Sequence, residues 1–96
     1  MPRHRSTLQR TLGQLILAVQ KEETLAMVDS ALWDAAKEAR ARAESLLALA
    51  GDPARLRRTL GGGTVGAYVG ARWIAKHPSV KPALLAVSKA LNESDV

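Results

Sequence analysis

A serine nucleophile needs a base, and this chain has only His4 and His77 to serve Ser30, Ser45, Ser79 and Ser88. Neither histidine is flanked by a recognisable catalytic partner, so no nucleophilic set emerges. Glu22, Glu23 and the carboxylates of the charged middle of the chain read as solvated surface, with no pair set apart for acid/base work. Cysteine is absent, which excludes disulfides and thiolate chemistry. No carboxylate stands at helical ligand spacing from either histidine, so a metal site is not expected. The expectation from these residues is a non-enzyme without a cofactor.

Glycine is the other residue type here whose spacing has consequences. Five of the seven glycines fall between Thr59 and His77, in TLGGGTVGAYVGARWIAKH. A phosphate-cradling loop at a helix start is one chemistry such a stretch can serve. The order G-x-x-x-x-G-K-[ST] is missing, however, and no hydrophobic strand precedes the glycines as a dinucleotide fold requires. If the stretch is helical, Gly62, Gly66 and Gly70 recur every four residues and form a strip beside Val65, Val69 and Trp73. Interior glycines cost a helix about 1 kcal/mol each, and close approach of a second backbone is the usual compensation. Gly62, Gly66, Gly70, Val69 and Trp73 are therefore the expected helix-packing or self-association residues.

The net charge of +5 is unevenly distributed. Residues 1–51 carry seven basic and six acidic side chains, whereas residues 52–92 set Arg55, Arg57, Arg58, Arg72, Lys76, Lys81 and Lys89 against Asp52 alone. Those seven cations are the candidate contacts for an anionic partner: nucleic acid, an acidic protein or a membrane surface. The longest run without charge, Thr59 to Ala71, is 13 residues. As a helix it spans about 20 Å, short of a hydrocarbon core of about 30 Å, so no transmembrane span is expected. The basic start is followed by a short apolar run, Leu15 to Val19, and then by polar residues, unlike a secretory signal. A cytoplasmic location is the expectation.

The elements that position these residues follow from hydrophobic periodicity. Residues 1–5 read as a disordered basic arm, residues 6–92 as one helical domain and residues 93–96 as a polar tail. Ser6 and Gln9 have capping-box spacing, and Leu8, Leu12, Leu15, Ile16 and Val19 then share a helical face. The rhythm stalls from Gln20 to Thr24, where the chain either turns, with Thr24 capping a new helix, or continues through. From Leu25 to Ala50 a long amphipathic helix is predicted, with Leu25, Val28, Leu32, Ala35, Ala36, Ala39, Ala43, Leu46 and Leu47 as its apolar positions. Gly51-Asp52-Pro53 marks a boundary: a helix end, an N-cap and a first helical residue. A short arginine-rich helix to Leu60, a turn at Gly61 to Gly63, a helix capped by Thr64 and ended at His77-Pro78, and a last helix from Ser79 or Lys81 to about Leu91 complete the chain. Three aromatic residues, Trp33, Tyr68 and Trp73, and no Phe suit helix packing better than a sheet. The fold class expected is all-α, a small bundle of four to five helices with one long central helix.

Val87-Ser88-Lys89-Ala90-Leu91-Asn92 resembles the recognition-helix ending V-S-[RK]-A-L-N of lac-repressor-type regulators, which implies a DNA-binding helix-turn-helix. The motif lies at the wrong end of the chain for that family, and Lys81-Pro82-Ala83 stands where its A-G-V-S turn belongs. The order of a charged alanine-rich helix followed by Gly62, Gly66 and Gly70 is similar to small bacterial glycine-zipper proteins that associate with membranes, but Arg72 and Lys76 interrupt the long uncharged span those proteins have. The function expected is that of a small binding, assembly or regulatory protein acting through protein–protein contacts, with self-association into a homo-oligomer through the glycine strip. Nucleic-acid binding through the basic half is the alternative, and peripheral membrane contact a further one.

Overall fold

The computed structural model describes residues 7–93. Its described elements are helical: α1 (Thr7–Leu25), α2 (Ser30–Ala48), α3 (Pro53–Leu60), α4 (Val65–Val69), α5 (Ala71–Ala75) and α6 (Lys81–Glu93), with 3-10 turns at Ala26–Val28 and Pro78–Val80. The all-α class is as expected. Ser6, the basic arm and the tail beyond Glu93 lie outside the described residues. Among the described residues six α-helices stand in place of the expected four to five, because the glycine-bearing segment is two short helices instead of one.

The organising element is α1. Leu8, Leu12, Leu15, Ile16 and Val19 form one buried face at helical spacing, and α2 and α6 both pack against this helix. The polar Gln20 to Thr24 patch does not break it. Thr24 Oγ1 donates to the Gln20 carbonyl at 3.0 Å, a bond made inside the helix instead of a cap. Glu23 accepts from Arg40 of α2 through both carboxylate oxygens, Nε–Oε1 at 2.6 Å and Nη2–Oε2 at 3.3 Å. That paired geometry joins the end of α1 to the middle of α2. The hydrogen bonds that Arg40 donates to Glu23, aided by the charges of Glu23 and Glu44, raise the Arg40 pKa above its ordinary value.

The predicted long helix from Leu25 to Ala50 is interrupted near its start. Asp29 adopts an extended conformation (φ −133°, ψ 115°), and its carboxylate accepts from the backbone N–H groups of Ala31 and Leu32 at 2.9 and 3.1 Å. This is an N-cap, so α2 begins at Ser30 and the residues before it belong to α1 and a 3-10 turn. Two helices of 19 residues stand in place of one dominant one. The buried face of α2 is Ala36, Ala39, Ala43 and Leu46. Three alanines in that face leave room for close approach to the leucine face of α1.

Asp52 caps α3 by accepting from Arg55 N at 3.1 Å, with Pro53 in the first turn. Thr64 Oγ1 accepts from Ala67 N at 3.0 Å and caps α4. Both caps match the sequence expectation. Arg57 Nη2 donates to the Leu91 carbonyl at 2.5 Å, placing α3 at the C-terminal end of α6.

Ala43 has no exposed surface at the α1–α2 contact, whereas Ala41 is exposed. Ala43→Leu should lower unfolding stability by about 1–3 kcal/mol through overpacking. Ala41→Leu should change it by less than about 0.5 kcal/mol. Urea denaturation followed by circular dichroism measures both.

Candidate functional site

Three surfaces can be built upward from the residues: the glycine segment, the cations of the second half, and an apolar corner that periodicity assigns to the core.

The glycine strip does not form. Gly61 and Gly62 lie in left-handed backbone (φ 62° and 83°) in the turn after α3, and Gly70 has φ 140° between α4 and α5. Those torsions suit glycine and stop the helix, so Gly62, Gly66 and Gly70 share no helical face. The expected strip fails because the chain uses the glycines to turn instead of to pack. Gly66 alone keeps a close contact: a Cβ there would lie 3.0 Å from Leu84 Cδ2 on α6. That contact is within the molecule. Val69 is buried in the core. Trp73 packs partly buried against it and stacks on His77, with ring centroids 4.2 Å apart and planes inclined at 20°. Trp73 Nε1 is buried with no hydrogen-bond partner, an orphaned donor that costs about 1–3 kcal/mol.

Around this segment two open clefts appear. One, of about 360 Å³, lies between α4–α5 and the start of α6, lined by Ala67, Ala71, Ile74, Ala75, Lys81 and Leu84 among others. The second, of about 490 Å³, lies between α2 and the α4–α5 break and includes Glu38, Arg42, Arg72 and Trp73. Arg42 Nη2 is held by Glu38 at 2.8 Å and its Nη1 donates to the Tyr68 carbonyl at 3.2 Å. Among the described residues the polar or charged side chains lining the clefts are Thr64 and Lys81 in the first and Glu38, Arg42 and Arg72, besides the Trp73 indole, in the second. Ser79 donates to Glu22, while His77 Nδ1 lies 2.7 Å from the Trp73 carbonyl, so serine and histidine are each engaged elsewhere. Among the described residues no three His, Cys, Asp or Glu side chains converge as metal ligands.

The cations divide sharply by their partners. Lys37, Arg40 and Arg42 of α2 are each in an ion pair, with Asp34, with Glu23 and Glu44, and with Glu38. Among the described residues, Arg55, Arg58, Arg72, Lys76, Lys81 and Lys89 are exposed and pair with no carboxylate. Arg57 is committed to the Leu91 carbonyl. These cations do not gather at one point. Lys76 and Lys81 flank the start of α6, whereas the Arg57 bond puts the α3 arginines at its other end with Lys89. Lys81 and Lys89 are eight residues apart, about 12 Å along the helix.

Periodicity does not point to the apolar corner. Leu25, Met27, Val28 and Leu32 are 67%, 59%, 95% and 49% exposed around the turn from α1 to α2. The sequence rhythm places Leu25, Val28 and Leu32 on the core face of a long helix. The Asp29 cap ends that register, leaving them on the surface, and Ala35 is exposed with them. Trp33 stands next to the corner, with the Lys37 ammonium 4.2 Å from its ring centroid. Among the described residues Leu17 and Leu85 are the other exposed large apolar side chains, each on a different helix. The sequence signal for the corner is Asp29-Ser30, a capping pair inside an apolar rhythm.

Comparison with protein-family models, with curated proteins and with solved structures finds no match to this chain.

The backbone at Gly70 generates a direct test. Gly70→Ala should destabilise the protein by about 1–3 kcal/mol, because an alanine at φ 140° is strained whatever space surrounds it. Gly13 lies within α1, and a Cβ there would meet nothing within 4 Å, so Gly13→Ala should gain up to about 1 kcal/mol. Thermal and urea unfolding of the two variants should show opposite shifts.

Proposed function

We propose that this chain is a non-catalytic helical binding protein that acts through protein–protein contacts, in an assembly or regulatory role. The observation that carries this reading is the corner at Leu25, Met27, Val28 and Leu32. Four large apolar side chains, each about half exposed or more, stand within eight residues of one another. Single exposed leucines are ordinary, whereas a cluster of large apolar side chains supports a contact surface for another protein. Trp33 beside the corner adds an aromatic of the kind enriched at interface centres. The α1–α2 pair, joined by the Glu23–Arg40 double hydrogen bond, presents the corner on a fixed scaffold. Among the described residues no helix is long and apolar enough to cross a membrane. A cytoplasmic setting remains part of this proposal.

A second reading draws on the unpaired cations. A duplex or another polyanion could be held by Arg55, Arg58, Arg72, Lys76, Lys81 and Lys89, whose charges no carboxylate among the described residues neutralises. Such binding needs no motif and would weaken steeply with salt. Their division between the two ends of α6 favours a long partner over a small one.

Val28→Asp separates the contact reading from a structural role. Because Val28 is 95% exposed, the substitution should move unfolding stability by less than about 0.5 kcal/mol. It should nevertheless abolish cross-linking to the protein partner in native lysate. Retention of the same cross-linked species would remove the corner from the interface. For the second reading, filter binding of a mixed-sequence duplex at two salt concentrations should show a steep loss of affinity, and no binding at low salt would exclude it.

A further inference from the structure

The groove between α4–α5 and α6 and the corner between α1 and α2 are complementary in two respects. The groove is apolar along Ala67, Ala71, Ile74, Ala75 and Leu84, and at about 360 Å³ it is near the small end of the roughly 300–1,000 Å³ range of ligand pockets. It is open, so a protruding side chain can enter it from solvent. Its small residues make it a recess: α5 contributes Ala71 and Ala75, and Gly66 of α4 lies close enough to Leu84 that a Cβ would be 3.0 Å away. The one charged group in its lining is Lys81, an exposed ammonium without an ion-pair partner among the described residues. Lys76 follows directly on Ala75 and adds to the positive sign there.

The corner has the converse properties. Val28 and Met27 project from a 3-10 turn, with Val28 95% exposed, and the next residue is Asp29. Asp29 is itself exposed, and its Oδ1 takes both bonds from the α2 backbone, from Ala31 N and Leu32 N, which leaves the second oxygen for another donor. An apolar knob with an acid beside it meets an apolar recess with a base at its rim.

We propose that the groove receives the Leu25–Leu32 corner of a second copy of this chain, with Val28 and Met27 in the recess and Asp29 beside Lys81. The proposal deepens the protein-contact reading and rests on it, naming the partner as the chain itself. Knob and groove are different surfaces, so the contact uses one of each per copy. Burial of the apolar side chains supplies the attraction, and the exposed Asp29–Lys81 pair sets the orientation.

Two classes of variant test it by complementation. Val28→Asp spoils the knob and leaves the groove; Ala71→Glu places a charge in the groove and leaves the knob. Analytical ultracentrifugation of the unmodified chain should show a mass rising above 10.3 kDa with concentration. Each variant alone should remain at the monomer mass, and an equimolar mixture should form a one-to-one pair, since it restores one intact knob and one intact groove. Circular dichroism checks that each is folded. If Ala71→Glu is not folded, Ala75→Glu, also exposed in the groove lining, takes its place with the same expected outcome. A monomer at every concentration, or a mixture that never pairs, would overturn the self-contact. A monomer at every concentration, together with loss of cross-linking to another protein in lysate on Val28→Asp, would overturn the self-contact and leave the broader protein-contact reading standing.

Discussion

The structure depends on one buried stripe. Leu8, Leu12, Leu15, Ile16 and Val19 of α1 are the residues against which the two other long helices are set, and Leu8, Leu12, Leu15 and Val19 have almost no exposed surface. With no Phe and few aromatic side chains, the chain must reach its stability through many aliphatic contacts made at close range. The alanines of α2 meet that need by bringing its backbone near α1. Much of the remaining core, Leu56, Val65, Val69, Ile74, Val80, Val87 and Leu91, comes from the shorter helices, the Pro78–Val80 turn and α6 closing over the same cluster.

That arrangement explains why hydrophobic residues are left over. Once α1 extends to Leu25 and Asp29 starts a new helix, Leu25, Met27, Val28 and Leu32 have no inner face to join. In the sequence Leu25, Val28 and Leu32 continue the three-and-four spacing of the alanine stripe, so periodicity alone places them in the core. The capping carboxylate decides otherwise. A local bond from Asp29 to two backbone amides ends a register that the apolar pattern supports on both sides. The patch from Gln20 to Thr24 is different: its polarity leaves open a turn or a continuous helix, and α1 runs through it, with the Glu23–Arg40 pair tying it to α2.

Where glycine or proline stands beside a capping residue, the reading from residues is close to the fold. Asp52-Pro53 and Thr64 cap as expected, and the stripe of α1 is buried residue for residue. Spacing misleads at the glycines, because a four-residue recurrence is compatible with a helical strip and equally with glycines that turn the chain, and only backbone torsion separates the two. Gly70 at φ 140° takes the second course. Charge is legible in part. Counting along the sequence locates the basic half, and helical spacing pairs Asp34 with Lys37 and Glu38 with Arg42. The Glu23–Arg40 pair across two helices and the lack of a carboxylate partner, among the described residues, for the exposed cations beyond Asp52 are visible only in the fold. The candidate surfaces therefore comprise one that is legible in the sequence, the cations, and one that is not, the apolar corner.

If the corner is a contact surface and the groove beside Lys81 receives it, both must become shielded together as copies of the chain meet. Amide hydrogen exchange on the intact protein, compared between dilute and concentrated samples, tests this most directly. The expected result is slower exchange on concentration in two separated stretches, around Leu25 to Leu32 and from Ala67 to Leu84, with the buried stripe of α1 unchanged. Identical exchange in both stretches at every concentration would contradict it.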